Sequence, residues 1–172
     1  MKNNLILIGY MGSGKTSVGQ TLARMLNTVF LDTDQLIEEQ EGCSIREIFE
    51  KKGEEEFRNM ETACLEGLIK AQASGVISVG GGTPLREENR RLMKQLGRVC
   101  YLKAEPDTIF ERIKGDTTRP LLQTANPRNR IEEMLKGREA AYASGADMVI
   151  RVEDKGIEEI AKEILGDEHI GY

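Results

Sequence analysis

Two kinds of hydrophobic spacing alternate along the chain. Residues 4–9 (Asn-Leu-Ile-Leu-Ile-Gly) form a continuous apolar run, the pattern of a strand covered on both faces in a parallel sheet. From Lys15 the period changes. Val18, Leu22, Met25 and Leu26 recur at i, i+4, i+7 and i+8, which is one face of a helix. Residues 28–32 predict a second strand, and 75–79, 98–102 and 147–152 predict three more. Helical periods occupy about 86–96, 106–114, 128–144 and 156–165, with boundaries good to a few residues. Strands joined in turn through helices predict an α/β fold, a three-layer doubly wound sandwich around a five-stranded parallel sheet.

Two stretches lie outside that alternation. Residues 34–72 are a long helical excursion where one crossover helix would suffice, and 115–127 combine Gly115, two prolines, three threonines and Asn126 without an apolar period. The second reads as a mobile loop. With no repeat, low-complexity tract or linker in its 172 residues, the chain is expected to be one domain, 1–172, with two insertions.

Composition narrows the function classes. A net charge of −5 argues against a sequence-independent nucleic-acid binder, which needs a basic face to neutralise phosphates. The apolar run 5–8 falls far short of the roughly 20 residues that a membrane span requires, and no export signal is evident. Cys43, Cys64 and Cys100 show no metal-ligand spacing and are expected to be reduced, packed thiols in a cytoplasmic protein. His169, the single histidine, is expected to be a solvated tail residue, which sets aside Cys/His catalysis and a histidine metal site.

The chemistry concentrates in a few short motifs. Residues 9–16, Gly-Tyr-Met-Gly-Ser-Gly-Lys-Thr, satisfy GxxxxGK[ST] directly after a strand and before a helix. Small residues there let backbone N–H groups curl around phosphate oxygens at a helix N-terminus, Lys15 reaches the β/γ-phosphates, and the Thr16 hydroxyl can ligate Mg²⁺. The second strand ends Asp32-Thr33-Asp34. Alternation along an extended segment aims both carboxylates at the crevice beyond the strand ends, where Asp34 can receive an acceptor hydroxyl; the competing role for Asp34 is to cap the next helix. Arg58 and Glu61 share a helical face and can pair, although a surface pair at this spacing means little. Gly80-Gly81-Gly82 follows the third strand and either lets the backbone approach a small ligand or makes a plain turn. Arg119, in Arg-Pro-Leu-Leu within the loop, suits a lid over a transferring phosphate. Arg138, one turn before Tyr142, either points back at the cleft or is solvated.

In this order, from 5 to 152, these motifs (GxxGSGKT, DTD, FRxxE, GGG, RPLL, RExxY) resemble the shikimate kinase family of P-loop enzymes, related to nucleoside monophosphate kinases. The resemblance implies a P-loop NTPase fold with a substrate-binding region at about 33–61 and a lid at about 112–125. It implies that Asp34, Arg58, Gly81 and Arg138 hold shikimate, flanked by Gly80 and Gly82, with Phe49 and Phe57 against the apolar part of its ring. On the nucleotide side, Gly12, Ser13, Gly14, Lys15, Thr16 and Ser17 would wrap the phosphates of ATP. Arg112 would stack on adenine, Arg119 would reach ATP from the lid, and Thr16 with Asp32 (through water) would hold Mg²⁺. Lys15, Asp34 and Arg119 would then be the catalytic residues of a monomeric cytoplasmic kinase. Its reaction would be ATP + shikimate → ADP + shikimate 3-phosphate, without nucleic-acid or membrane partners. Two alternatives stay open at this point: another small-molecule kinase of the group, for gluconate or a nucleotide, and a non-catalytic ATP-binding regulatory domain.

Overall fold

A computed structural model of the protein describes residues 4–116, 118 and 120–166. The five predicted strands are present as β1 (Leu5–Ile8), β2 (Phe30–Asp32), β3 (Val76–Ser78), β4 (Arg98–Lys103) and β5 (Met148–Arg151). They form one sheet in the order β2-β3-β1-β4-β5, parallel throughout: Leu5 lies beside Val76 and Arg98, Phe30 beside Val76, and Cys100 beside Met148. Every residue of the central strand β1 is buried, which is why its sequence is unbroken Leu-Ile-Leu-Ile with no polar alternation. Buried Asn4 holds the base of this strand, donating to the carbonyls of Ala73 and Leu96 and accepting from the N–H of Gly75.

Helix α1 (Lys15–Met25) follows β1 and packs against the C-terminal helix α8 (Ile157–Gly166). The excursion 34–72 resolves into α2 (Thr33–Glu41), α3 (Ile45–Lys52) and α4 (Glu54–Lys70). These three hold together through a small core of their own, Ile37, Ile48 and Phe57, joined by Cys43, Ile45, Met60 and Cys64. Local chemistry sets their limits. Gly42 ends α2 at φ 68°, and Ser44 with Glu47 closes a capping box at the start of α3. Helix α5 (Glu87–Leu96) packs against α4.

Helices α6 (Pro106–Ile113) and α7 (Pro127–Gly145) bracket the predicted lid. The stretch expected to lack regular structure contains a short 3₁₀ turn, Pro120–Gln123, and Asn126 caps α7 by accepting from the N–H of Asn129. Arg119 and His169 lie outside the described residues. Cys100 is buried and Cys43 and Cys64 are half-buried, none of them in a disulfide. Burial first, then the charges of Asp34, Glu61 and Asp32, pushes the Cys64 thiol up to about 11, so it is a protonated packing group.

Candidate active site

The loop between β1 and α1 starts the site. Gly12 and Gly14 adopt φ 77° and 99°, the left-handed region that costs glycine little, and Gly14 stands at the N-cap of α1. A Cβ at Gly12 would sit 2.9 Å from a methyl of Ile113, so the loop is also packed tightly under α6. The backbone thus turns its N–H groups toward one concavity at a helix N-terminus, where anions are stabilised. The Lys15 ammonium lies folded over the loop, donating to the carbonyls of Gly9 (2.7 Å) and Tyr10 (3.2 Å).

The acidic pair arises differently from its prediction. Strand β2 stops at Asp32 and helix α2 starts at Thr33, so Asp34 faces the cleft from a first helical turn and not from strand alternation. The helix cap is Asp32, whose Oδ1 accepts from the N–H groups of Asp34 (2.9 Å) and Gln35 (3.2 Å). That assigns the capping role considered for Asp34 to its neighbour. Asp34 Oδ1 is buried and accepts no hydrogen bond among the described residues, which leaves it able to accept one from a ligand hydroxyl. Burial, and then the negative charges of Asp32 and Glu61, raises the Asp34 carboxyl from its ordinary 3.8 to about 6. Thr16 and Asp32 line the same cleft. Oxygen donors of this kind fit Mg²⁺, which binds through one or two protein oxygens, phosphate and water and so requires no dense carboxylate cluster.

Two arginines line the same cleft as the acids. Arg58 Nη1 donates to Glu61 Oε2 at 2.8 Å, and Nη2 reaches Glu54 at 3.3 Å. This is not the weak surface pair that its spacing suggested, because Glu61 is only 1 % exposed. Burial works to lower the Arg58 pKa, but hydrogen bonding and charge from Glu61 and Glu54 outweigh it, and the net shift is upward. The guanidinium also lies 5.4 Å from the centre of the Phe57 ring, while Phe57 contacts Phe49 at 4.9 Å between rings. Arg138, from α7, stacks 5.5 Å over the ring of Tyr10.

The three glycines occupy the space between these groups. A Cβ on Gly80 would come within 2.8 Å of both Asp34 and Glu61, one on Gly81 within 3.3 Å of Arg138, and one on Gly82 would collide with the Arg58 guanidinium. The triplet is therefore crowded by the side chains of the site, at a turn closed by the Thr83 N–H donating to the Gly80 carbonyl at 3.0 Å.

Together these groups enclose a cleft of about 650 Å³, large enough for a small-molecule ligand. Of the residues named from sequence, Gly12, Gly14, Lys15, Thr16, Ser17, Asp32, Asp34, Phe49, Phe57, Arg58, Gly80, Gly81, Gly82 and Arg138 all line it. Ser13 does not. Its side chain is buried, and its N–H donates to the Tyr10 carbonyl within the loop. Arg112 is exposed and donates to the Gly12 carbonyl at 3.0 Å, beside the phosphate loop but outside the cleft wall. Arg119 falls outside the described residues. Sequence reasoning named Glu61 only as a partner of Arg58 and passed over Ile45, Glu54, Ser78 and Val79, which also line the cleft. The i,i+3 spacing signalled Glu61, but its burial was invisible in one dimension.

The shikimate kinase family model matches residues 11–167. A shikimate kinase of Thermodesulfovibrio yellowstonii is 44% identical over 162 residues, spanning 94% of this chain and 92% of its own. One from Caldanaerobacter subterraneus subsp. tengcongensis is 44% identical over 164 residues, spanning 94% of each. Among solved structures, shikimate kinase from Acinetobacter baumannii in complex with shikimate superposes with a TM-score of 0.90 at 36% identity, covering 99% of this chain and 97% of that one. Shikimate kinase from Aquifex aeolicus superposes with a TM-score of 0.80 at 35% identity, covering 98% and 99%.

Proposed function

The chain belongs to the shikimate kinase family of ATP-dependent phosphotransferases, and on that premise we propose how its residues move the γ-phosphoryl group of ATP to the 3-hydroxyl of shikimate. The products are shikimate 3-phosphate and ADP, a step toward chorismate and the aromatic amino acids. The observation that carries the residue assignment is the division of the cleft: a phosphate loop with Lys15 on one wall, and on the other two guanidinium groups and a carboxylate whose Oδ1 is buried and unpartnered.

Phosphoryl transfer through a loose transition state needs alignment and charge neutralisation more than covalent help. The backbone N–H groups of residues 12–17 and the Lys15 ammonium take the charge of the β- and γ-phosphates. Arg112 reaches the adenine side and Arg119 closes from the lid within about 112–125. Thr16 and Asp32 would hold Mg²⁺, which when bound neutralises phosphate charge. Arg58 and Arg138 grip the shikimate carboxylate, a planar anion that a guanidinium fork matches and an ammonium does not. Phe49 and Phe57 cover the apolar part of the ring, and the open backbone of Gly80–82 admits it closely. Asp34 accepts a hydrogen bond from the acceptor hydroxyl, orients it toward the γ-phosphorus, and takes its proton as the new bond forms. With a carboxyl titrating near 6, Asp34 is ionised at neutral pH yet basic enough for that role. Both walls come from one chain, which supports a monomer as the working unit; a cytoplasmic setting belongs to the same proposal.

A coupled ADP-release assay with Mg·ATP tests it. Release should depend on shikimate and fail with gluconate or nucleoside monophosphates. Shikimate-independent release, or none with any acceptor, contradicts the proposal.

A further inference from the structure

We infer that Thr83 and Tyr142 are positioning residues for the acceptor, holding Arg58 and Arg138 in register through two hydrogen bonds to the single loop that follows β3. The inference rests on the reading of those arginines as the carboxylate grip. Neither Thr83 nor Tyr142 lines the cleft, so each would act only through the groups it holds.

On one side, Thr83 Oγ1 donates to Glu61 Oε1 at 2.6 Å, and the other oxygen of that carboxylate accepts from Arg58 at 2.8 Å. Thr83 and Glu61 are each 1 % exposed. The hydroxyl therefore sets the rotation of a buried carboxylate, and the carboxylate sets the guanidinium. Thr83 is itself braced: Asn89 Nδ2 donates to its carbonyl at 3.0 Å, and the Thr62 hydroxyl donates to Asn89 Oδ1 at 2.8 Å.

On the other side, Tyr142 is fully buried and donates its hydroxyl to the Gly81 carbonyl at 2.7 Å. It lies one helical turn beyond Arg138, and both side chains converge on Gly81: a Cβ there would stand 3.3 Å from Arg138 Nη1 and 3.6 Å from the Tyr142 hydroxyl. The Tyr101 ring packs 5.1 Å away and keeps the phenol in place. Residues 81–83 are thus tied to Arg58 through the Thr83 hydroxyl and Glu61, and at Gly81 are held by the Tyr142 hydroxyl directly beside Arg138. A displacement of this short loop disturbs both halves of the grip at once.

Removing either hydroxyl strands a buried acceptor, Glu61 Oε1 or the Gly81 carbonyl, at a cost that local shifts will relieve. Neither hydroxyl bonds the phosphate loop, which meets the network only where Arg138 stacks over the Tyr10 ring, so the effect should fall on shikimate and largely spare ATP. The experiment compares steady-state constants for both substrates in wild type, T83V, T83S, Y142F and the T83V/Y142F double variant, with melting curves to establish folding. T83V and Y142F should each raise KM for shikimate about 5- to 30-fold. KM for ATP should stay within about twofold, as should every constant of T83S, which keeps the hydroxyl. The double variant should lose less than the product of the single losses, because both act on one loop. T83A replaces T83V should the latter not fold. An unshifted KM for shikimate in T83V and Y142F, parallel loss of both substrates, or a T83S as impaired as T83V would overturn the inference. Wild-type protein that turns over ATP without regard to shikimate would instead overturn the functional reading beneath it.

Discussion

Asp34 shows how one residue can be unfavourable for stability and necessary for chemistry. Below about pH 3 the carboxyl is protonated in folded and unfolded chains alike, and its burial carries no ionic cost. As pH rises through its raised value of about 6, the unfolded chain ionises freely while the folded one ionises against burial and two neighbouring acids. The native state is then destabilised by up to about 3 kcal/mol, a penalty fully present above pH 6. Asp34→Asn should therefore melt higher than wild type at pH 8 and show little gain at pH 4, as differential scanning fluorimetry can follow. The same substitution should lower kcat by roughly 10²-fold or more, because Asn cannot take the acceptor proton. In the wild type, kcat/KM for shikimate should rise with pH about a midpoint near 6; a flat profile between pH 5 and 8 would detach Asp34 from proton transfer.

Helices α2 to α4 form an element whose stability depends on local devices as much as on burial. Their apolar core is small, so the caps carry unusual weight. The Ser44 hydroxyl accepts from the Glu47 N–H at 3.2 Å, and the Glu47 carboxylate accepts from the Ser44 N–H at 2.9 Å. Ser44→Ala removes half of this box and should cost about 1 kcal/mol, or roughly 2–4 °C in Tm for a chain of this size. Since α3 carries Phe49 into the cleft and braces Phe57, KM for shikimate should rise modestly while KM for ATP holds. Equal change in both constants would show that the helix pair does not act as a separate acceptor-binding element.

At the scale of the whole molecule, two cores of unequal size imply two levels of protection. The sheet core includes every residue of β1 and most of β4, whereas the acceptor-side core holds three buried residues and a partly buried rim. Regions with few buried contacts open at lower free energy than the global unfolding. Hydrogen exchange followed by mass spectrometry should find α2 and α3 exchanging well before β1 and β4, with shikimate slowing the former pair selectively. Uniform protection across both cores would refute this ranking.

The legibility of the protein follows the range of the forces involved. Strand and helix periods, the Gly-rich phosphate loop and the order of the motifs are short-range patterns, so the parallel sheet and the family were readable from the chain. Two features left no such trace, one a local cap and one a contact between residues far apart in sequence. The end of β2 at Asp32 is one example: the cap formed by that side chain turned an expected strand residue, Asp34, into a helical one. Glu61 is another, since only the packing of α4 against the turn at Thr83 removes it from water and makes its bond to Arg58 consequential. Ser13 and Arg112 carried the right motif positions, yet one side chain turned inward and the other settled on the Gly12 carbonyl. Sequence alone determined the elements and the types of charge this protein would present. Which charges meet in one cleft was decided by tertiary structure, because burial and distance set the strength of an electrostatic contact and neither exists until the chain has folded.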